Sequence, residues 1–157
     1  MCSAVSLDLS SIPKHIFDEH DLLSRVYDRG GNQPEIQFAI TDPEPLLPVL
    51  DGGVFRLMRW GSRDRAGRLP TTGWTWRGSV EGGAWAKIGC PTEPVTILAD
   101  YGCENRFWYK ITKGIHGLIV RPEGEPPAVF MICEEPTRYY RVMTRGERMP
   151  WLIDEVI

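Results

Sequence analysis

The chain has 157 residues, 42% of them apolar and 25% charged, with a net charge of -3. This is the length of one domain and the composition of a folded globular protein, which excludes disordered, collagen-like and fibrous classes. The longest unbroken apolar run, residues 128–133, is six residues long, far short of the roughly 20 needed to cross a bilayer.

Glycine and proline together supply 29 residues, so short elements are expected. Residues 11–28 read as the one early helix. Ser11 is its cap, Pro13 falls in its first turn, Ile12, Ile16, Leu23 and Val26 or Tyr27 form an apolar face, and Gly30-Gly31 stops it. Strands follow at 36–40, closed by Asp42-Pro43-Glu44-Pro45, and at 54–60. The polar, Arg-rich stretch 61–72 reads as a loop. Further strands are expected at 95–99, 106–111, 117–121 and 128–133, a short helix at 134–143, and a last apolar patch at 151–153. Many short strands with two helices and no alternating βαβ pattern predict a single α+β domain over 1–157, built mainly on antiparallel sheet.

Charge is unevenly spread. Residues 1–50 carry three basic and eight acidic groups, whereas 56–77 carry six arginines against Asp64 alone. A second basic stretch holds Arg138, Arg141, Arg145 and Arg148. Such segments either present an anion-binding face or pair with the N-terminal acids.

The four cysteines, Cys2, Cys90, Cys103 and Cys133, form no C-x-x-C pair and have no His-rich partner set, which argues against a zinc site. No basic n-region or apolar h-region opens the chain, so free thiols in a cytoplasmic compartment are expected. Nucleotide-binding glycine loops, H-E-x-x-H and G-x-S-x-G are absent, and no cofactor or nucleotide is expected.

Cys2 follows Met1 directly. Removal of Met1 would leave an α-amine, with a reference pKa of about 7.7–8.0, beside a thiol of about 8.5. The amine condenses with an aldehyde to a Schiff base, and the thiol then closes a thiazolidine ring. A neighbouring carboxylic acid assists the proton transfers.

Read in order, the chain resembles the SRAP (SOS-response-associated peptidase) family, whose members crosslink to abasic sites in single-stranded DNA. The resemblance is carried by Met1-Cys2, by the Pro-rich stretch 43–50, and by Leu57-Met58-Arg59-Trp60-Gly61. It continues through Thr75-Trp76-Arg77, Ile97-Leu98-Ala99-Asp100-Tyr101-Gly102-Cys103-Glu104-Asn105 and Gly146-Glu147-Arg148-Met149-Pro150. It implies a barrel-like core, a nucleophilic Cys2, and Glu104 as the proton-transfer group. It also implies DNA contacts at Arg59, Trp60, Thr75 and Arg77, an autopeptidase activity, and single-stranded DNA carrying abasic sites as partner, with no membrane and no metal.

Departures are evident. The family histidine falls on Gly146, its asparagine on Thr75, Ser3-Ala4 replace Gly-Arg, and Asn105 stands where Trp follows the glutamate. General acid–base groups are worth about 10²–10⁴-fold in rate, so the implied crosslinking is slow or absent. His116 is expected in a turn between strands. Two other readings stand beside this one. One is a catalytically decayed module that binds DNA through arginines. The other is a structural or interaction protein, in which Arg59 and Arg77 pair with carboxylates and Glu104 is an exposed acid at a turn.

Overall fold

The turn Asp51-Gly52-Gly53-Val54 shows how local sequence sets this architecture. Both glycines adopt positive φ, 56° and 82°, the conformation a two-residue hairpin with right-handed strand twist requires. They join β4 (Leu46–Asp51) to β5 (Val54–Arg59) in register, with Asp51 opposite Val54 and Leu46 opposite Arg59. In the computed structural model, which describes residues 2–157, this hairpin belongs to one of two sheets.

The first sheet contains β1 (Ala4–Asp8), β2 (Val26–Asp28), β3 (Pro34–Ala39), β8 (Tyr101–Glu104) and β9 (Phe107–Lys110), in the order β2-β3-β1-β8-β9. The second contains β4, β5, β6 (Trp74–Trp76), β7 (Thr92–Ile97), β10 (Ile115–Val120), β11 (Ala128–Glu134) and β12 (Met149–Pro150). Its order is β12-β11-β10-β7-β4-β5, with β6 added parallel to β11. All other named pairings are antiparallel. The helices are short: α1 (Lys14–Glu19), α2 (Arg77–Glu81), α3 (Ala84–Lys87) and α4 (Arg138–Thr144). The fold is therefore α+β on antiparallel sheet, as expected. The second sheet curls until Trp60 bridges Val129 and the Gly61 N–H reaches the Val129 carbonyl at 2.7 Å, but it does not close into a barrel.

The main core lies on the inner side of both sheets and includes Val5, Leu7, Ile36, Phe38, Val49, Ile97, Ile119, Met131 and Cys133. A smaller core on the far side of β10 and β11 gathers Leu69, Trp85, Leu118, Phe130 and Ile132. Strand alternation sends Val129, Met131 and Cys133 to the first and Ala128, Phe130 and Ile132 to the second. Both faces of β11 are covered, which explains why its sequence is apolar without interruption.

The expected helix over 11–28 is a correction. Only Lys14–Glu19 is α-helical. Single 3-10 turns flank it, Pro13 caps it, and Asp21 takes a left-handed φ of 47°. Asp18, Glu19 and Asp21 crowd its C-terminal end, where the helix dipole disfavours negative charge. Val26–Asp28 becomes an exposed edge strand instead. The Pro-rich stretch contains β4: the Pro48 carbonyl accepts from Leu98 N at 2.9 Å, and its missing N–H falls where the pairing with β7 is already ending.

Among the described residues no helix is long and apolar enough to cross a membrane. Among them too, no group of three or more His, Cys, Asp or Glu could hold a metal ion.

Candidate active site

β1 is laid between β3 and β8, and this placement builds the site. Ala4 lies opposite Cys103. Just before the strand, the Ser3 N–H donates to the Cys103 carbonyl at 2.7 Å. Cys2 is thereby held next to the end of β8, where Glu104 ends the strand. The Cys2 thiol donates to the Ala4 carbonyl at 3.0 Å and is fully buried. Burial pushes the thiol up to about 11, and the Glu104 charge adds to that rise; hydrogen bonds from Tyr109 and from the backbone of Cys103 and Ala4 oppose it.

Glu104 is a buried strand residue, 8% exposed and opposite Phe107. This corrects the exposed-turn reading. The turn is the next pair, Asn105 and Arg106, both at positive φ (49° and 69°). It closes a two-residue hairpin that sets Tyr109 opposite Gly102. A Cβ on Gly102 would stand 2.7 Å from the Tyr109 ring, so only glycine admits the tyrosine there.

Helix α4 supplies the facing wall. Thr137 caps it by accepting from the Tyr140 N–H at 3.0 Å, which aims Tyr140 inward. The Tyr140 hydroxyl lies 3.5 Å from that of Tyr109, with the rings edge to face at 5.5 Å. Burial raises both phenols well above their ordinary range. At the end of the helix the Asn105 amide donates to the Thr144 carbonyl at 2.8 Å, and the Thr144 hydroxyl donates to the Tyr140 carbonyl at 2.8 Å. Gly146 follows, packed so closely that a Cβ there would stand 3.0 Å from Glu104 Cγ, Thr144 Oγ1 and Tyr140 Cε1. Cys133, also fully buried, completes the cluster. Burial raises its thiol to about 12, Arg148 works against that rise, and the charges of Cys2 and Glu104 add to it.

The sequence-derived DNA contacts are dispersed. Trp60 is 1% exposed and its indole N–H donates to the Gly73 carbonyl at 2.9 Å. It is a core residue and no stacking platform, because its face is spent on packing. Thr75 is buried on the side of the second core, where its hydroxyl accepts from Trp85 Nε1 at 3.2 Å. It therefore points away from the face that holds Cys133. Arg59 donates to the Pro126 carbonyl at 2.9 Å. Arg77 pairs with Glu81 at 2.8 Å and Glu134 at 3.1 Å and stacks on Trp151 at 4.0 Å. It stands over a cleft of about 660 Å³ that also exposes Glu135. His116 sits within β10 and not in a turn, its ring stacked on Trp151 at 3.8 Å. Burial and the Arg77 charge lower its pKa, and it lies among Arg77, Asp154 and Glu134, away from Cys2.

Sequence reasoning missed Tyr109, Tyr140 and Thr144. The readable signal for Tyr109 was the Asn105-Arg106 pair. Asn tolerates the left-handed region, and a two-residue turn there sets residue 109 opposite 102. Together the elements define an α+β protein with a buried cluster of two thiols, one carboxyl group and two phenols at the junction of β1, β8 and α4. The chain matches no family model, no curated protein and no solved structure.

Proposed function

We propose that this chain is an SRAP-like protein that captures the ring-opened aldehyde of an abasic site in single-stranded DNA, in a reducing cytoplasm. The reading requires a free α-amine on Cys2, hence loss of Met1. The amine nitrogen adds to the aldehyde carbon. Both amine protons pass to the carbonyl oxygen, relayed by the Glu104 carboxyl group, and the oxygen leaves as water, giving the imine. The Cys2 sulfur then adds to the imine carbon and its proton passes to the nitrogen, closing a thiazolidine. One aldehyde and one aminothiol become one ring and one water.

The observation that supports the reading is that the β1–β8 pairing brings Cys2 to the end of β8, where Glu104 is also buried. Gly146 packs on Glu104, so the third position of the implied catalytic set also borders this pocket, though without a side chain.

That glycine favours a second reading, a DNA-binding module without covalent chemistry. The space a histidine would take is already filled by Tyr140, Thr144 and Glu104.

One experiment separates the two. Protein whose Met1 removal is verified by intact mass is incubated with a single-stranded oligonucleotide carrying an abasic site and run on a denaturing gel. The first reading expects a shifted band that disappears in Cys2→Ala and forms about 10²–10⁴-fold more slowly in Glu104→Gln. Absence of a band in the wild type overturns it.

A further inference from the structure

Helix α4 has three faces, and only one is accounted for by the pocket. Tyr140 and Thr144, four residues apart, point inward and are buried. Arg138, Arg141 and Arg145 follow at helical spacing along an exposed stripe. Beside them Tyr139 and Val142 are 60% and 69% exposed, and Met143 is exposed as well. These exposed apolar side chains stand beside guanidinium groups on the solvent side of the helix.

The charges are available. Arg141 reaches Glu147 only at 3.7 Å, across exposed side chains. Among the described residues no carboxylate pairs with Arg138 or Arg145, and Arg145 stands at the helix C-cap. By contrast Arg77 is held by two glutamates, and Trp60 is sealed in the core. Of the two Arg-rich segments in the sequence, the one beside the buried cluster is therefore α4, and not 56–77.

We propose that single-stranded DNA lies along the outer face of α4, with its phosphates on Arg138, Arg141 and Arg145 and a base stacked on Tyr139. This deepens the reading above and rests on it for the identity of the partner. Arginine grips phosphate through paired N–H groups, and a tyrosine ring stacks any base regardless of sequence. The same helix packs its inner face, Tyr140 and Thr144, into the buried cluster that holds Cys2. A strand on the outside thus lies within one helix diameter, about 10–12 Å, of the reacting groups.

The test uses a fluorescent, undamaged oligo-dT and anisotropy titrations at several salt concentrations, with thermal melts confirming that each variant folds. Replacing all three arginines by glutamine lowers the log–log salt slope by about 2, at about 0.7 per phosphate contact. Tyr139→Ala weakens binding by about 5- to 150-fold. An unchanged slope in the triple variant overturns the proposal, and so does equal competition by a poly-glutamate peptide of the same charge. Loss of oligo-dT binding in the variants with no crosslink in the wild type upholds the α4 surface and rejects the covalent reading. Crosslinking in the wild type with undiminished binding by the triple variant does the reverse. Wild-type protein that leaves the oligo-dT free rejects the α4 surface, whatever the crosslinking gel shows.

Discussion

Gly146→Ala probes the packing of the candidate site most directly. The added methyl group would stand 3.0 Å from three atoms, several tenths of an ångström inside ordinary contact, and none of the three yields freely. Thr144 Oγ1 is held by the Tyr140 carbonyl at 2.8 Å and accepts from the Gly146 N–H at 3.0 Å. The Tyr140 ring abuts Tyr109, and Glu104 is fixed in β8. Overpacking of this kind costs about 1–3 kcal/mol. Gly146 does not occupy the positive-φ region, so alanine returns about 0.4–1 kcal/mol by restricting the unfolded chain. The net loss spans about 0–2.6 kcal/mol and centres on about 1.3 kcal/mol, or roughly 3–5 °C in Tm for a chain of this size. Calorimetric melting measures it. Gly61→Ala is the severe reference, because its Cβ would come 2.1 Å from the Thr72 carbonyl oxygen at a φ of 64°. A Gly146→Ala protein that melts within about 1 °C of the parent would refute the claim that the pocket is full, and with it the reason a histidine has no place there.

Two further expectations concern the core. Cys2 and Cys133 have folded-state pKa values raised to about 11 and about 12. Unfolded thiols ionise first, so the stabilisation they provide is complete below about pH 8.5 and is lost as pH rises through the folded values, at up to about 1.4 kcal/mol per pH unit for each thiol. Urea midpoints at pH 8 and pH 10.5 should fall less steeply in Cys133→Ala than in the parent; parallel curves count against the burial argument. Trp60→Phe removes a buried indole N–H that donates to the Gly73 carbonyl, and should cost about 1–3 kcal/mol. Because that carbonyl also accepts from Met131 N at 3.0 Å, the lower half of the range is expected in urea unfolding, and no loss at all would contradict the assigned core role.

What could be read from the sequence, and what could not, follows from where each strand finds its partners. β11 was legible because an apolar run needs no knowledge of its neighbours. The two-residue turn at Gly52-Gly53 is equally local, yet β4 before it was masked by proline, since only the end of the β7 ladder makes Pro48 tolerable. β1 went unread: Val5 and Leu7 alternate over too short a span, and Ser6 is as buried as they are. β8 was hidden in the same way by Gly102, Cys103 and Glu104, none of them typical of strands. Cys2 and Glu104 were named together from motif order alone. The tyrosines that surround them were not, because their approach depends on the packing of α4 against a hairpin about thirty residues earlier.

The position of β1 also bears on timing. Its neighbour β8 is separated from it by roughly a hundred residues, which take about 5–20 s to synthesise at about 5–20 residues per second. For that interval β1 lacks its partner on one side. Pairing of the opening strand on both edges is therefore a late step of synthesis, and slowing translation before residue 101 would prolong the half-paired state.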